Sequence, residues 1–165
     1  MGLLQRYDEI LTALLVGLRA VYGARLVACA VYGSVGRGTP REDSDVDLLI
    51  VARDLPAGRV ARVEEFLPVE ARLESMLAAA QSGLGAIALS PVFKTPEELA
   101  AGSPLLLLDM VEDARLLYDP EGVLRRCLDR LRSRLQELGA RRVRHGGGWY
   151  WELKPDLEPG EVFTL

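Results

Sequence analysis

The chain has 165 residues, 49% of them hydrophobic and 27% charged, a size and composition typical of one globular domain with its own core. Its formal net charge of −4 argues against a global basic field for nucleic acid, and no apolar run is long enough to span a bilayer. The first residues include acids and show no cleavage pattern, so we expect no signal peptide and a cytoplasmic protein. Cys29 and Cys127 lie in apolar patterns, which predicts reduced core residues, with a disulfide or shared metal as the lesser alternative.

The first third of the chain predicts one helix and two buried strands. Residues 3–22 carry apolar residues at helical spacing, and Gly23 is a suitable C-cap. The apolar runs Leu26–Tyr32 and Val46–Val51 predict strands. Residues 33–38 between them predict a turn that runs into a short helix.

Helical spacing returns from residue 59 to about residue 81, and we expect Pro68 to mark the first turn of a second helix. Ala86–Phe93 predicts a third strand, in which Pro91 favours an edge position or a bulge. Residues 95–98 read Thr-Pro-Glu-Glu, the pattern of an N-cap, a proline at the first helical position and acids in the first turn.

The remaining periodic segments alternate between helix and strand. They are a short helix over Pro104–Val111, a short strand over Ala114–Tyr118, an amphipathic helix over 123–138 and a strand over Trp149–Leu153. The whole pattern predicts an α/β (α+β) fold, with a small mixed β-sheet flanked by helices.

The most specific feature is the stretch of residues 33–51. It includes Asp45 and Asp47, which open an apolar run and therefore point to one face of a strand. Two neighbouring carboxylates repel each other unless a cation neutralises them. Oxygen ligands of this kind suit Mg²⁺ with substrate phosphates among its ligands, and two such ions would stabilise both oxygens of an in-line displacement.

The turn before this pair predicts the phosphate-binding half of the site. Gly33 permits a sharp turn or a close approach, and Ser34 offers a hydroxyl and nearby N–H groups. Arg37 could pair with phosphate in a bidentate manner, although a surface role is its alternative. Ser44 could cap or orient the Asp45 carboxylate. A Gly-Ser turn or an Asp-x-Asp pair alone is usually structural, but their order, each joined to an apolar strand, favours a phosphate-and-metal site.

This pattern resembles the nucleotidyltransferase superfamily that includes DNA polymerase beta and kanamycin nucleotidyltransferase, and the chain length is similar to that of its minimal members. The matching residues are Tyr32, Gly33-Ser34, Arg37-Gly38 and Ser44-Asp45-Val46-Asp47, followed by Leu48–Val51. The resemblance implies a palm-like sheet in a nucleotidyltransferase domain over residues 1–145, with a tail over 146–165 packed on it. It also implies Mg²⁺, with Mn²⁺ as a possible substitute, and transfer of a nucleoside monophosphate from a triphosphate to a hydroxyl with release of pyrophosphate.

Within this resemblance Asp45 and Asp47 are the expected catalytic residues and metal ligands. Gly33, Ser34, Arg37 and Ser44 are the expected nucleotide-binding residues. The nucleoside triphosphate is the expected substrate.

The family usually adds a third carboxylate from a later strand as metal ligand and base. The predicted strand Ala86–Phe93 holds no acid, and alternation puts Ser90 at that place. The acids at Glu70, Glu74, Glu97 and Asp109 fall on predicted helices or helix starts, and the sequence does not place them at the metal. A missing base weakens catalysis by roughly 10²–10⁴-fold.

The missing acid supports an alternative: a nucleotide-binding, antitoxin-like module that partners a helical toxin-like protein, with little or no turnover. An edge strand and an aromatic tail also permit a homodimer. Three lesser features have mainly structural interpretations: a surface role for His145, core or dimer packing for residues 149–151 rather than base stacking, and a solvated face for the arginines of residues 125–144 rather than an RNA or acidic-partner surface.

Overall fold

The computed structural model describes residues 2–79, 87–102, 104–146 and 148–165. Over these residues the chain forms a four-stranded mixed sheet, helices on both of its faces and a separate two-stranded hairpin. The elements are α1 (Leu3–Tyr22), β1 (Leu26–Tyr32), α2 (Gly33–Gly36), β2 (Val46–Ala52), α3 (Arg59–Ala79), β3 (Leu89–Lys94), α4 (Pro96–Ala100), α5 (Pro104–Leu108), β4 (Arg115–Tyr118), α6 (Val123–Glu137), β5 (Arg141–His145) and β6 (Gly148–Glu152). The predicted fold class is confirmed.

The main sheet has the strand order β3-β2-β1-β4. β1 pairs antiparallel with β2 and with β4, whereas β2 pairs parallel with β3. β3 is an edge strand, as Pro91 predicts, because an edge position spares a proline from having to donate to a second neighbour. The N-terminal ends of β2 and β3 and the C-terminal end of β1 meet at one edge of the sheet. This edge is formed by strand ends and not by the edge strands β3 and β4.

The two faces of the sheet carry separate hydrophobic cores, so its central strands are apolar throughout. Leu48 and Ile50 of β2 face α1 and α3, whereas Leu49 and Val51 face α4, α5 and α6. The two cysteines are unpaired and buried in opposite cores, which confirms their prediction as core residues. None of the described helices combines the length and apolarity needed to cross a bilayer.

The prediction of a helix boundary at Pro68 is wrong, because α3 runs through it as one helix. Pro68 and Glu64, whose carbonyl loses its helical donor, are both exposed, so water can satisfy that carbonyl. Phe66 and Val69 on either side are buried in the core and hold the two halves in line. The predicted ends at residues 81 and 86 lie outside the described residues.

The sequence does not predict β5, and its residues 141–144 belong to the segment 125–144 that is expected to be a solvated face. Its sequence, Arg-Arg-Val-Arg-His, lacks the apolar alternation that identifies strands, yet it pairs in register with β6 from Arg141↔Glu152 to His145↔Gly148. The division predicted at residue 145 falls inside this hairpin and stays a prediction. α5 also ends earlier than predicted, at Leu108.

Candidate functional site

The aspartate pair lies at the edge where β1 ends and β2 begins. In the sheet register Asp47 stands between Tyr32 of β1 and Ser90 of β3. Asp45 precedes β2 by one residue, and its Oδ2 accepts a hydrogen bond of 3.1 Å from Ser90 Oγ. Ser90 therefore occupies the strand position opposite Asp47, as alternation predicts, and β3 contributes a hydroxyl there instead of a carboxylate.

Gly33 packs against the Asp47 carboxylate. It has a φ of +65°, and a Cβ placed on it would lie 2.2 Å from Asp47 Oδ2. A side chain at this position would both strain the backbone and displace the carboxylate. Glycine is therefore required here for the position of Asp47.

The loop between α2 and β2 is held by hydroxyl groups. Ser34 Oγ donates to Ser44 Oγ at 3.1 Å, and the Arg41 N–H donates to the same oxygen at 2.8 Å. The Tyr7 hydroxyl, from α1, lies 2.8 Å from the carbonyl oxygen of Ser44 and 3.0 Å from that of Arg41. These contacts fix the path of the chain immediately before Asp45.

Two expectations change with these contacts. Ser44 was a candidate to orient Asp45, but its recorded side-chain contacts are to Ser34 and Arg41, and Ser90 contacts Asp45 instead. In the sequence Tyr7 is one of the apolar positions of the helix over residues 3–22. Its hydroxyl partners are 34 and 37 residues away, so no local signal identifies this role.

The electrostatics of Asp47 are unfavourable for its charged form. Burial raises its pKa above the ordinary value, the Asp45 charge raises it further, and Asp109 adds to the effect, whereas Arg37 opposes it. Asp109, which the sequence could not place, thus acts electrostatically on the site. A bound cation would remove the repulsion between the carboxylates.

The donor chemistry fits a divalent cation that is completed by substrate. The residues that could hold it are Asp45 and Asp47, and Gly33 leaves the Asp47 carboxylate its space. Among the described residues no group of three or more histidine, cysteine, aspartate or glutamate side chains gathers around one metal position. Mg²⁺ commonly keeps phosphate oxygens and water in such open sites, so two carboxylates suit it.

Arg37 lies beside the site, but its side chain contacts residues that are far from it in the sequence. Its Nη1 donates to Asp113 Oδ2 at 3.1 Å, and its Cζ lies 4.5 Å from the ring centroid of Trp149. Arg142 also donates to Asp113 through two nitrogens, at 3.1 and 2.7 Å. No motif in the sequence points to Asp113 or Arg142, and Asp113 is 76 residues from Arg37.

The lesser candidates lie in structural surroundings. His145 is exposed, and its ring centroid is 6.5 Å from that of Tyr150. Several arginines of residues 125–144 form surface ion pairs, including Arg132–Asp129, Arg134–Glu137 and Arg141–Glu152. These pairs favour a solvated face over a binding surface.

Comparison with known proteins identifies a family whose profile covers this site region, and two similar proteins. The profile of the family described as a nucleotidyltransferase domain matches residues 21–79, which contain the whole motif. MJ1305 of Methanocaldococcus jannaschii, provisionally named a protein adenylyltransferase, is 26% identical over 132 residues, covering 79% of this chain and 84% of that protein. Protein adenylyltransferase MntA of Thermococcus cleftensis is 36% identical over 74 residues, covering 45% of this chain and 68% of that protein.

The fold is also similar to that of a solved chain. A chain in a crystal structure of a toxin–antitoxin with AMP-PNP matches with a TM-score of 0.50 and 22% identity. The match covers 78% of this chain and 88% of that one. At this identity the likeness concerns the fold.

Proposed function

This chain belongs to the nucleotidyltransferase family and is a nucleotidyltransferase enzyme, and on that premise we propose that it transfers AMP from ATP to a hydroxyl group on a protein, with release of pyrophosphate. The observation that carries the proposal is the Asp45–Asp47 pair where β2 begins, with the Asp47 carboxylate packed against Gly33 and Asp45 hydrogen-bonded to Ser90. The choice of ATP and of a protein acceptor follows the two relatives named as protein adenylyltransferases.

In this proposal each residue of the edge has one task. Asp45 and Asp47 would hold Mg²⁺, which when bound neutralises triphosphate charge and stabilises the attacking and leaving oxygens. Ser34 and Arg37 would bind phosphate oxygens, and Ser44 keeps the loop in place. Phosphoryl-type transfer depends mostly on such positioning and charge stabilisation, because little covalent chemistry falls to the protein.

The proton of the acceptor hydroxyl has no obvious destination on β3, where Ser90 replaces an acid. Besides Asp45, Asp109 is the acid among the described residues whose charge acts on Asp47. It is therefore the residue to test as the proton acceptor. If it serves as a base, Asp109→Asn should slow transfer by roughly 10²-fold.

The presence of Ser90 at the position where the family usually has an acid favours a second candidate function. This is a nucleotide-binding module that partners a helical toxin-like protein, with little or no turnover. The similar chain solved in a toxin–antitoxin agrees with this candidate in fold. A homodimer is compatible with both candidates, because β3 leaves one edge of the main sheet open.

The experiment is transfer of label from α-labelled ATP in the presence of Mg²⁺ or Mn²⁺. The acceptors to be supplied are the chain itself, RNA, small hydroxyl compounds and any helical protein encoded beside it. We expect label on a protein together with pyrophosphate, and a loss on the order of 10³-fold in Asp47→Ala, the equivalent of about 4 kcal/mol in barrier height. Asp43→Ala is the matched control, since Asp43 is an exposed acid of the same loop.

Equal transfer by wild type and Asp47→Ala would overturn the proposal. ATP binding without transfer to any acceptor would favour the second candidate. Absence of any ATP binding in calorimetry would contradict both functions.

A further inference from the structure

Arg37 belongs to the turn that carries the expected phosphate-binding residues, yet its side chain is held from outside the family-matched region. Its partners are Asp113, just before β4, and Trp149 of β6. Among the described residues its Nη1 is hydrogen-bonded, whereas its Nε and Nη2 have no hydrogen-bond partner. A guanidinium carries five N–H donors in a fixed fork, so most of its donors are available to a ligand.

Arg142 of β5 connects the two groups that hold Arg37. Its fork contacts both oxygens of Asp113, and its Cζ lies 3.7 Å from the ring centroid of Trp149. The side chains of Asp113 and Arg142 are only 9% and 19% exposed, so this ion pair is better shielded from water than a surface pair. The indole ring therefore has two guanidinium groups against it, an arrangement that favours one position for each.

The backbone ties the same two regions together. A Cβ placed on Gly36 would lie 2.7 Å from the carbonyl oxygen of Asp113 and 2.8 Å from that of Val31. The last residue of α2 thus packs directly on the chain at Asp113. This packing holds the Asp113 carboxylate in place relative to α2, the helix that directly precedes Arg37.

We propose that Arg142 and Trp149 position Arg37 for the triphosphate, which makes the β5–β6 hairpin a working part of the nucleotide site. Both act through Arg37 and are positioning residues. Asp113 takes one donor of Arg37 and leaves Nε and Nη2 for phosphate oxygens, while the indole face limits the swing of the guanidinium. The inference rests on the proposed function, because it requires a triphosphate at the Asp45–Asp47 edge.

The test is a double-mutant cycle between Arg37 and Trp149, with the Kd for ATP and Mg²⁺ measured by calorimetry. Loss of a cation–π contact corresponds to a weakening of about 2- to 30-fold, so we expect Trp149→Leu to raise the Kd by about tenfold. In an Arg37→Ala background the same substitution should change the Kd less than about twofold. Trp149→Phe, which keeps an aromatic face, should recover most of the affinity.

Tyr150→Leu is the control, because Tyr150 is the next residue of β6 and its recorded ring contact is with His145. Its Kd should equal that of wild type. In transfer assays Trp149→Leu should raise KM and leave kcat within about twofold, a division that a general loss of structure would not produce. Melting temperatures verify folding, and if Trp149→Leu is unfolded, Arg142→Lys, which retains charge but not the fork, replaces it in the cycle.

Additive losses in the double mutant would overturn this inference and leave the proposed function intact. A wild-type protein that binds no ATP would overturn both. A Tyr150→Leu variant as weak as Trp149→Leu would show that the hairpin acts only through stability.

Discussion

Asp47 and Asp113 are two aspartates in neighbouring regions of the molecule whose surroundings act in opposite directions. At Asp47, burial and the charge of Asp45 raise the pKa above its ordinary value. At Asp113, burial also raises the pKa, but hydrogen bonds and charges from Arg142 and Arg37 outweigh it and hold the pKa below its ordinary value. At the edge of the sheet, Asp45 and Asp47 repel each other, and a bound cation could relieve that repulsion. Beside the hairpin, Arg142 and Arg37 already neutralise the charge of Asp113.

If the edge binds the triphosphate as proposed, the difference separates a region that binds a ligand from a region that supports it. A carboxylate pair without a balancing cation costs stability, and proteins retain such costs mainly at functional sites. In a bidentate ion pair shielded from water, each charge is neutralised by its partner without a ligand, and the pair holds its neighbours in place. The following predictions would break or sharpen this division, from the largest expected effect to the smallest.

The tightest feature of the edge is Gly33, and Gly33→Ala should reduce nucleotide transfer on the order of 10²-fold, because a Cβ would displace the Asp47 carboxylate. Gly38→Ala is the matched control: Gly38 has a similar φ of +73°, but a Cβ there meets no atom within 4 Å. Both variants should lose about 1–2 kcal/mol of stability from backbone strain. Equal loss of activity in the two would show that strain, and not the carboxylate, is responsible.

On the hairpin side Arg142→Ala should lower the free energy of unfolding by about 2–3 kcal/mol in urea denaturation, because it leaves Asp113 shielded and poorly paired. Arg144→Ala tests the same strand at an exposed position and should stay within about 0.5 kcal/mol of wild type. A similar small change in both variants would mean that the ion pair contributes little.

Tyr7→Phe should cost about 1 kcal/mol of unfolding free energy and raise the KM for ATP a fewfold, because it removes the hydroxyl that holds the loop before Asp45. Tyr22→Phe offers the contrast, because the buried Tyr22 hydroxyl has no hydrogen-bond partner among the described residues. That variant should be neutral or slightly more stable. An unchanged KM in Tyr7→Phe would show that the loop keeps its path without α1.

The opposite pKa shifts predict opposite pH dependences of stability. The folded pKa of Asp47 is raised, so the folded state binds more protons and its stability falls as pH rises from about 3.8 through the raised value. Asp47→Asn should remove this fall and melt higher than wild type at neutral pH without divalent cations. Asp113 contributes stability above pH 3.8 that is lost as pH falls, so Asp113→Asn should be most destabilising at neutral pH. Parallel pH profiles of the two variants would contradict the comparison.

The fold class and the edge site follow from local sequence because their causes are local. Two apolar runs, a glycine at the end of one strand and two aspartates at the start of the next all lie within residues 26–51, and each constrains its neighbours through backbone geometry. Pro91 likewise predicts an edge position or a bulge for β3, and the structure shows the edge position. A helix boundary at Pro68 is the wrong prediction because a proline is tolerated inside a helix when water can reach the carbonyl that loses its donor. The sequence does not show that exposure.

Sequence alone therefore determined the strands of the main sheet, the Gly33–Asp47 motif and the membership in the nucleotidyltransferase family. Tertiary structure decided the surroundings of Arg37, the hydroxyl contact from Tyr7 and the presence of β5. Each of these depends on side chains that come together from distant parts of the chain, where no periodicity or spacing connects them. Pairing between Arg37 and a residue 76 positions away exists only because the sheet brings α2 next to the start of β4.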